Sequence, residues 1–161
     1  MMKYSLILAS AVVLAGCATT SKQMPAPRAA STPSVETSHA TPFGALPPRT
    51  LAAGQCAMFL WVRSAEPKLV FFGSAQGDGH AVINGRETGL QRTGVEGREA
   101  LGQYEDQTYT FDGNKVEVRV NFQPRSGLDR GVVVPQGTLR LRQSDGWETV
   151  LPVGGLVACQ S

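Results

Sequence analysis

A chain of 161 residues has room for one domain plus ancillary segments, because compact domains usually run to roughly 100–150 residues. With 17% charged residues and a formal charge of +2 it lacks the clustered Lys and Arg that bind phosphate backbones, which excludes nucleic acid as a partner. Eighteen glycines and ten prolines point to a turn-rich all-β protein.

Residues 1–16 have the layout of a secretory signal: Lys3, an apolar run from Leu6 to Leu14, then small residues. The run is too short for a transmembrane helix, which needs roughly 20 apolar residues. Leu14-Ala15-Gly16-Cys17 resembles the bacterial lipobox, in which small residues admit the peptidase and the cysteine sulfur takes a diacylglyceryl group. Acyl chains at Cys17 would make a durable anchor, at roughly 0.8 kcal/mol per buried methylene. In the sorting logic of such lipoproteins an aspartate after the cysteine retains the protein at the inner membrane. Ala18 stands there instead, so the outer membrane, facing the periplasm, is the expected address.

From residue 17 to 53 the chain is rich in Ala, Thr, Ser and Pro and has little apolar periodicity, the composition of a disordered tether that cannot bury a core. The all-β domain is expected over residues 54–161. Cys56-Ala57-Met58-Phe59-Leu60-Trp61-Val62 is a nearly continuous apolar run and predicts a strand covered on both faces; Leu69-Val70-Phe71-Phe72 predicts a second. Ala81-Val82-Ile83 meets Asn84-Gly85, a dipeptide that supplies the positive φ angles of a type I′ turn, so a hairpin is predicted through Arg92. Residues 95–104 predict one irregular turn at most. Val116, Val118, Val120 and Phe122 alternate with Lys115, Glu117, Arg119 and Asn121, which predicts a strand with one buried and one wet face. Thr138 to Arg142 repeats the pattern, turns at Ser144-Asp145-Gly146 and returns from Trp147, and Leu156 to Cys159 closes the domain.

Seven to nine short strands predict a small antiparallel β-barrel, with a β-sandwich as the alternative. With Cys17 consumed by lipid, Cys56 and Cys159 are left in an oxidising compartment and are expected to pair; two reduced thiols, or a zinc site, are the rival readings. A bridge between the first and last strands favours a closed barrel.

The chemistry-bearing residues are few. Ser74, Asp78 and His80 can be drawn as a triad, but nothing in the sequence supplies an orienting group or an oxyanion site. The expectation is therefore no catalytic residue, no metal and no cofactor. Trp61 and Trp147 are expected in the core, the alternative being an aromatic-lined pocket for a small apolar ligand. Residues 115–142 carry a balance of +4 and residues 54–114 a balance of −3, so one basic region is predicted. Arg119, Arg140 and Arg142 on polar strand faces are its candidate contacts with an anionic envelope component or protein, the plainer reading being solvated faces that deter edge pairing.

The lipobox, the tether, Cys56-Ala57-Met58-Phe59-Leu60-Trp61, Val134-Pro135-Gln136-Gly137-Thr138-Leu139 and Pro152-Val153-Gly154-Gly155-Leu156 together resemble a family of uncharacterised proteobacterial envelope lipoproteins. That resemblance implies an envelope address and no particular activity. A weaker likeness is to membrane-bound inhibitors of c-type lysozyme, acyl-anchored β-barrels with a disulfide between early and late strands and a Ser-x-x-Gly-x-x-Tyr loop. Ser74 and Gly77 match that loop and His80 stands where the tyrosine would be. The expected function is a non-enzymatic binding or structural module, with lysozyme inhibition and carriage of a small apolar ligand as alternatives.

Overall fold

In the computed structural model, which describes residues 41–128 and 130–161, the alternation of apolar and polar residues is cashed out as nine strands and no helix among the described residues. They are β1 (Phe43–Gly44), β2 (Cys56–Val62), β3 (Leu69–Ser74), β4 (Asp78–Ile83), β5 (Arg86–Ala100), β6 (Gln103–Phe111), β7 (Asn114–Val120), β8 (Gly131–Arg142) and β9 (Glu148–Cys159). From β2 to β9 each strand pairs antiparallel with the next, and β9 pairs back onto β2. The result is a closed eight-stranded barrel with β1 added. Closure removes the free edges that an open sheet of this size would expose.

The register sets what fills the barrel. Met58 and Leu60 on β2, Phe71 on β3, Tyr109 on β6, Val116 and Val118 on β7, and Leu139 and Leu141 on β8 are buried and pack together. Phe71 and Tyr109 meet edge to face with ring centroids 5.3 Å apart, a favoured geometry for opposed aromatic quadrupoles. Because Met58 and Leu60 point inward, Phe59 and Trp61 point out, and Trp147 in the β8–β9 turn is 71% exposed. The two tryptophans expected in the core are thus outside it.

Cys56 and Cys159 are direct register partners on β2 and β9 and form a disulfide that spans 103 residues of sequence, so the thiol and zinc readings are set aside. The predicted Asn84-Gly85 turn joins β4 to β5 with φ of 50° and 78°. The expectation of an irregular turn at residues 95–104 is corrected: β5 runs on to Ala100 and β6 begins at Gln103, through a second tight turn in which Leu101 has φ 55° and Gly102 φ 77°.

The packed domain also begins earlier than residue 54. Phe43 and Leu46 are buried, and β1 pairs with the upper part of β4 at Phe43↔Ile83 and Gly44↔Val82. There β1 lies against β4 where the β3–β4 ladder, formed at Phe72↔His80 and Gly73↔Gly79, has stopped. The Leu46 amide donates to the Leu69 carbonyl of β3, so the segment bridges the seam. Beyond it, Leu46, Pro48 and Arg49 border the same outer hollow as Phe59, Trp61, Leu69 and Leu156, so this strap helps to cover the outward aromatics. The signal segment, Cys17 and the tether up to residue 40 lie outside the described residues.

Candidate functional site

The strand directions put two unlike ends on the barrel. The lower end holds the β3–β4 turn, the β5–β6 turn, the β7–β8 connection and the disulfide; the upper end holds the β2–β3, β4–β5, β6–β7 and β8–β9 turns.

At the lower end, Arg92 of β5 donates to the Gly102 and Ala75 carbonyls at 3.0 and 3.2 Å and to Gln107 Oε1 at 3.0 Å. Tyr109 Oη donates to the same Gln107 oxygen at 2.9 Å. Gln107 Nε2 donates to Gln103 Oε1 and the Tyr104 carbonyl, and Gln103 Nε2 donates to the Gly73 carbonyl. Gln103 and Gln107 are buried, and their hydrogen bonds offset the cost of that burial. Burial pushes the Tyr109 hydroxyl up to about 12, partly opposed by the Arg92 charge, so it stays a proton donor at neutral pH. A Cβ on Gly102 would lie 2.7 Å from Ala75 Cβ, a measure of how tightly the two turns meet. Arg98 donates to Glu105 and to the Phe122 carbonyl, while the Phe122 amide donates to Glu105. The bonded Arg98 guanidinium holds the Glu105 carboxyl below the usual carboxylate range, against the raising effect of burial.

The Ser74 to His80 loop is at this lower end, but its three residues do not assemble. Ser74 Oγ accepts the Asp78 amide at 3.3 Å, as a turn cap does. His80 points outward from β4, with Nδ1 3.5 Å from Glu87 Oε1 and its ring 6.1 Å from that of Phe72. Glu87 also meets Arg49, whose guanidinium lies 5.8 Å over the Phe72 ring. Gly77, at φ 110°, supplies the turn's left-handed residue and backs onto Arg92.

The arginines expected to form a basic region share the outer face of β7 and β8, where each meets a carboxylate. Arg119 lies 3.1 Å from Asp106, Arg140 3.3 Å from Glu148 and 3.9 Å from Glu117, and Arg142 2.6 Å from Glu148. With Lys115, four cations are interleaved with three carboxylates, so the face is laced and not uniformly cationic. The +4 balance counted only residues 115–142, and Asp106 on β6 and Glu148 on β9 come from outside that window. Arg119 also borders a shallow groove of about 150 Å³ over Gly94, where the missing side chain leaves room.

The feature that sequence reasoning missed is at the upper end. Phe43, Val62, Val70 and Leu151 back a cleft of about 580 Å³, bordered by Thr41, Ser64, Glu66 and Lys68. Phe43 contributes only because β1 enters the barrel wall, and a lone phenylalanine among prolines gave no strand signal. Trp147 stands at the same end, with Val150 half-exposed on the outer face below it. Among the described residues no group of three or more His, Cys, Asp or Glu side chains gathers into a metal-sized cluster. Comparisons of the chain with protein-family models, with curated proteins and with solved structures find no match.

Proposed function

We propose that the chain is an acyl-anchored envelope protein of the outer membrane, facing the periplasm, whose barrel is a non-enzymatic module acting by surface contact. One observation carries the contact reading: Ser74, His80 and the three candidate arginines already meet partners within the fold. Ser74 caps a turn, His80 faces Glu87, and Arg119, Arg140 and Arg142 meet Asp106, Glu117 and Glu148. The signal layout and Leu14-Ala15-Gly16-Cys17 support the anchor, and the disulfide fits an oxidising compartment. Cys17→Ser should abolish acylation and leave an uncleaved precursor, read by mass analysis of membrane and soluble fractions. An unmodified Cys17 in the wild type, or unchanged processing and membrane retention of the variant, would contradict the anchor.

The upper cleft favours a second reading, a small apolar ligand held at the mouth against Phe43, Val62, Val70 and Leu151. Organic extraction of the purified protein followed by mass analysis tests it. A stoichiometric apolar compound lost in Phe43→Ser supports this reading, and an empty extract removes it.

A further inference from the structure

We propose that the upper end of the barrel is a lipid-contacting face, with Trp147 seated among the headgroups of the bilayer that holds the anchor. This rests on the reading of Cys17 as acylated. The first observation is where the chain enters the fold. The Pro42 carbonyl accepts the Asn84 amide in the β4–β5 turn, so the polypeptide leading from Cys17 arrives at the upper end. Thr41 and Leu151 border the same cleft, which brings that point close to the start of β9, just after Trp147.

The second observation is the indole itself. Trp147 follows Ser144-Asp145-Gly146 at the tip of the β8–β9 hairpin and is 71% exposed, with its amide held by Asp145 Oδ1 at 3.0 Å and its carbonyl by the Gln143 amide at 2.9 Å. The backbone is thus fixed while a tryptophan, the largest type of side chain, faces solvent. An indole has an apolar body and one N–H donor, which suits the boundary between headgroups and acyl chains. A protein hot spot would more often sit within a ring of partly exposed contacts. Here the tip carries one aromatic, and the apolar cleft opens on the same end.

Charge narrows the lipid class. The upper turns and their flanks, residues 63–68, 84–87, 112–115 and 142–148, carry five basic and five acidic side chains. Such a face has no net field to draw it to anionic headgroups, so the contact belongs to the neutral, zwitterionic interface. One indole would bind lipid weakly from free solution. The anchor changes this: only 24 peptide steps separate Cys17 from Thr41, a chain that reaches at most about 80–85 Å, so the face is held at high effective concentration beside the bilayer.

The test uses the full-length acylated protein in phosphatidylethanolamine-rich vesicles whose acyl chains carry bromine at shallow or deep positions. The chain has two tryptophans, so Trp61→Phe leaves Trp147 as sole reporter. Its emission should move to shorter wavelength, lose most of its intensity to shallow bromine and less to deep bromine, and respond little to phosphatidylglycerol or salt. If Trp61→Phe does not fold, subtracting the emission of Trp147→Phe from that of the wild type gives the same signal. Flotation of each sample separates the two claims. Protein that floats with its Trp147 emission unquenched and water-like overturns the lipid-contacting face while the anchor stands; protein that does not float overturns both.

Discussion

The lower and upper ends of the barrel are built on different principles. Below, the β5–β6 turn meets the β3–β4 turn over a buried network of Arg92, Gln107, Gln103 and Tyr109, and the disulfide locks β2 to β9. Above, plain turns surround an open cleft, and β1 is held by two register pairs and a few flanking bonds. Buried polar networks are costly when incomplete and rigid when satisfied, so they suit an end that must not move. An end that meets another surface needs exposed apolar groups and unencumbered turns. On the proposed function, the asymmetry gives stability to one end and leaves the other for contact.

The largest blow to that division should come from the disulfide. Cys56→Ser with Cys159→Ser, or full reduction, should lower stability by about 2–5 kcal/mol, because the bridge closes a loop of some hundred residues in the unfolded chain. Denaturant midpoints of oxidised and reduced protein would read it, and equal midpoints would mean that the lower end does not depend on the bridge. Next is the centre of the network. Gln107→Leu strips a partner each from Arg92, Tyr109 and Gln103 in a buried setting and should cost about 2–3 kcal/mol by thermal or denaturant unfolding. A loss under half a kcal/mol would place the lower end's rigidity elsewhere. The smallest effect has the opposite sign. Leu101 sits at φ 55°, a left-handed conformation that costs an ordinary side chain roughly 1–2 kcal/mol and that asparagine tolerates better. Leu101→Asn should therefore raise stability by up to about 1 kcal/mol, and a loss of stability would show that the leucine packs to more purpose than its 37% exposure suggests.

These residues also mark how far the sequence can be read. The alternation in Lys115 to Val120 and the Asn84-Gly85 turn are legible because each rests on a local rule of period or φ, and the two domain cysteines because an even count in an oxidising compartment pairs. The Leu101-Gly102 turn is not, because leucine is a poor I′ residue and the strands beside it, with Gly94 and Gly97, lack clean alternation. The start of β8 was hidden by Pro135, which has no amide to donate and sits at the bulge between Val134 and Gly137. Phe43 carries no strand signal in the sequence because the seam it bridges between β3 and β4 is a property of the closed barrel. Size and apolarity alone do not place the tryptophans: register puts Trp61 out and the turn puts Trp147 in solvent. The pairing of the arginines depends on carboxylates from neighbouring strands, which a tally along the chain does not bring together.

The division between a closed end and a contact end is tested most directly by residue-resolved amide hydrogen exchange of the acylated protein on phosphatidylethanolamine-rich vesicles, compared with a soluble form lacking residues 1–17. The account predicts added protection at residues 41–46, 63–68 and 143–148 and none at residues 75–78 and 98–105. Added protection at the lower turns, or none at either end, would contradict it.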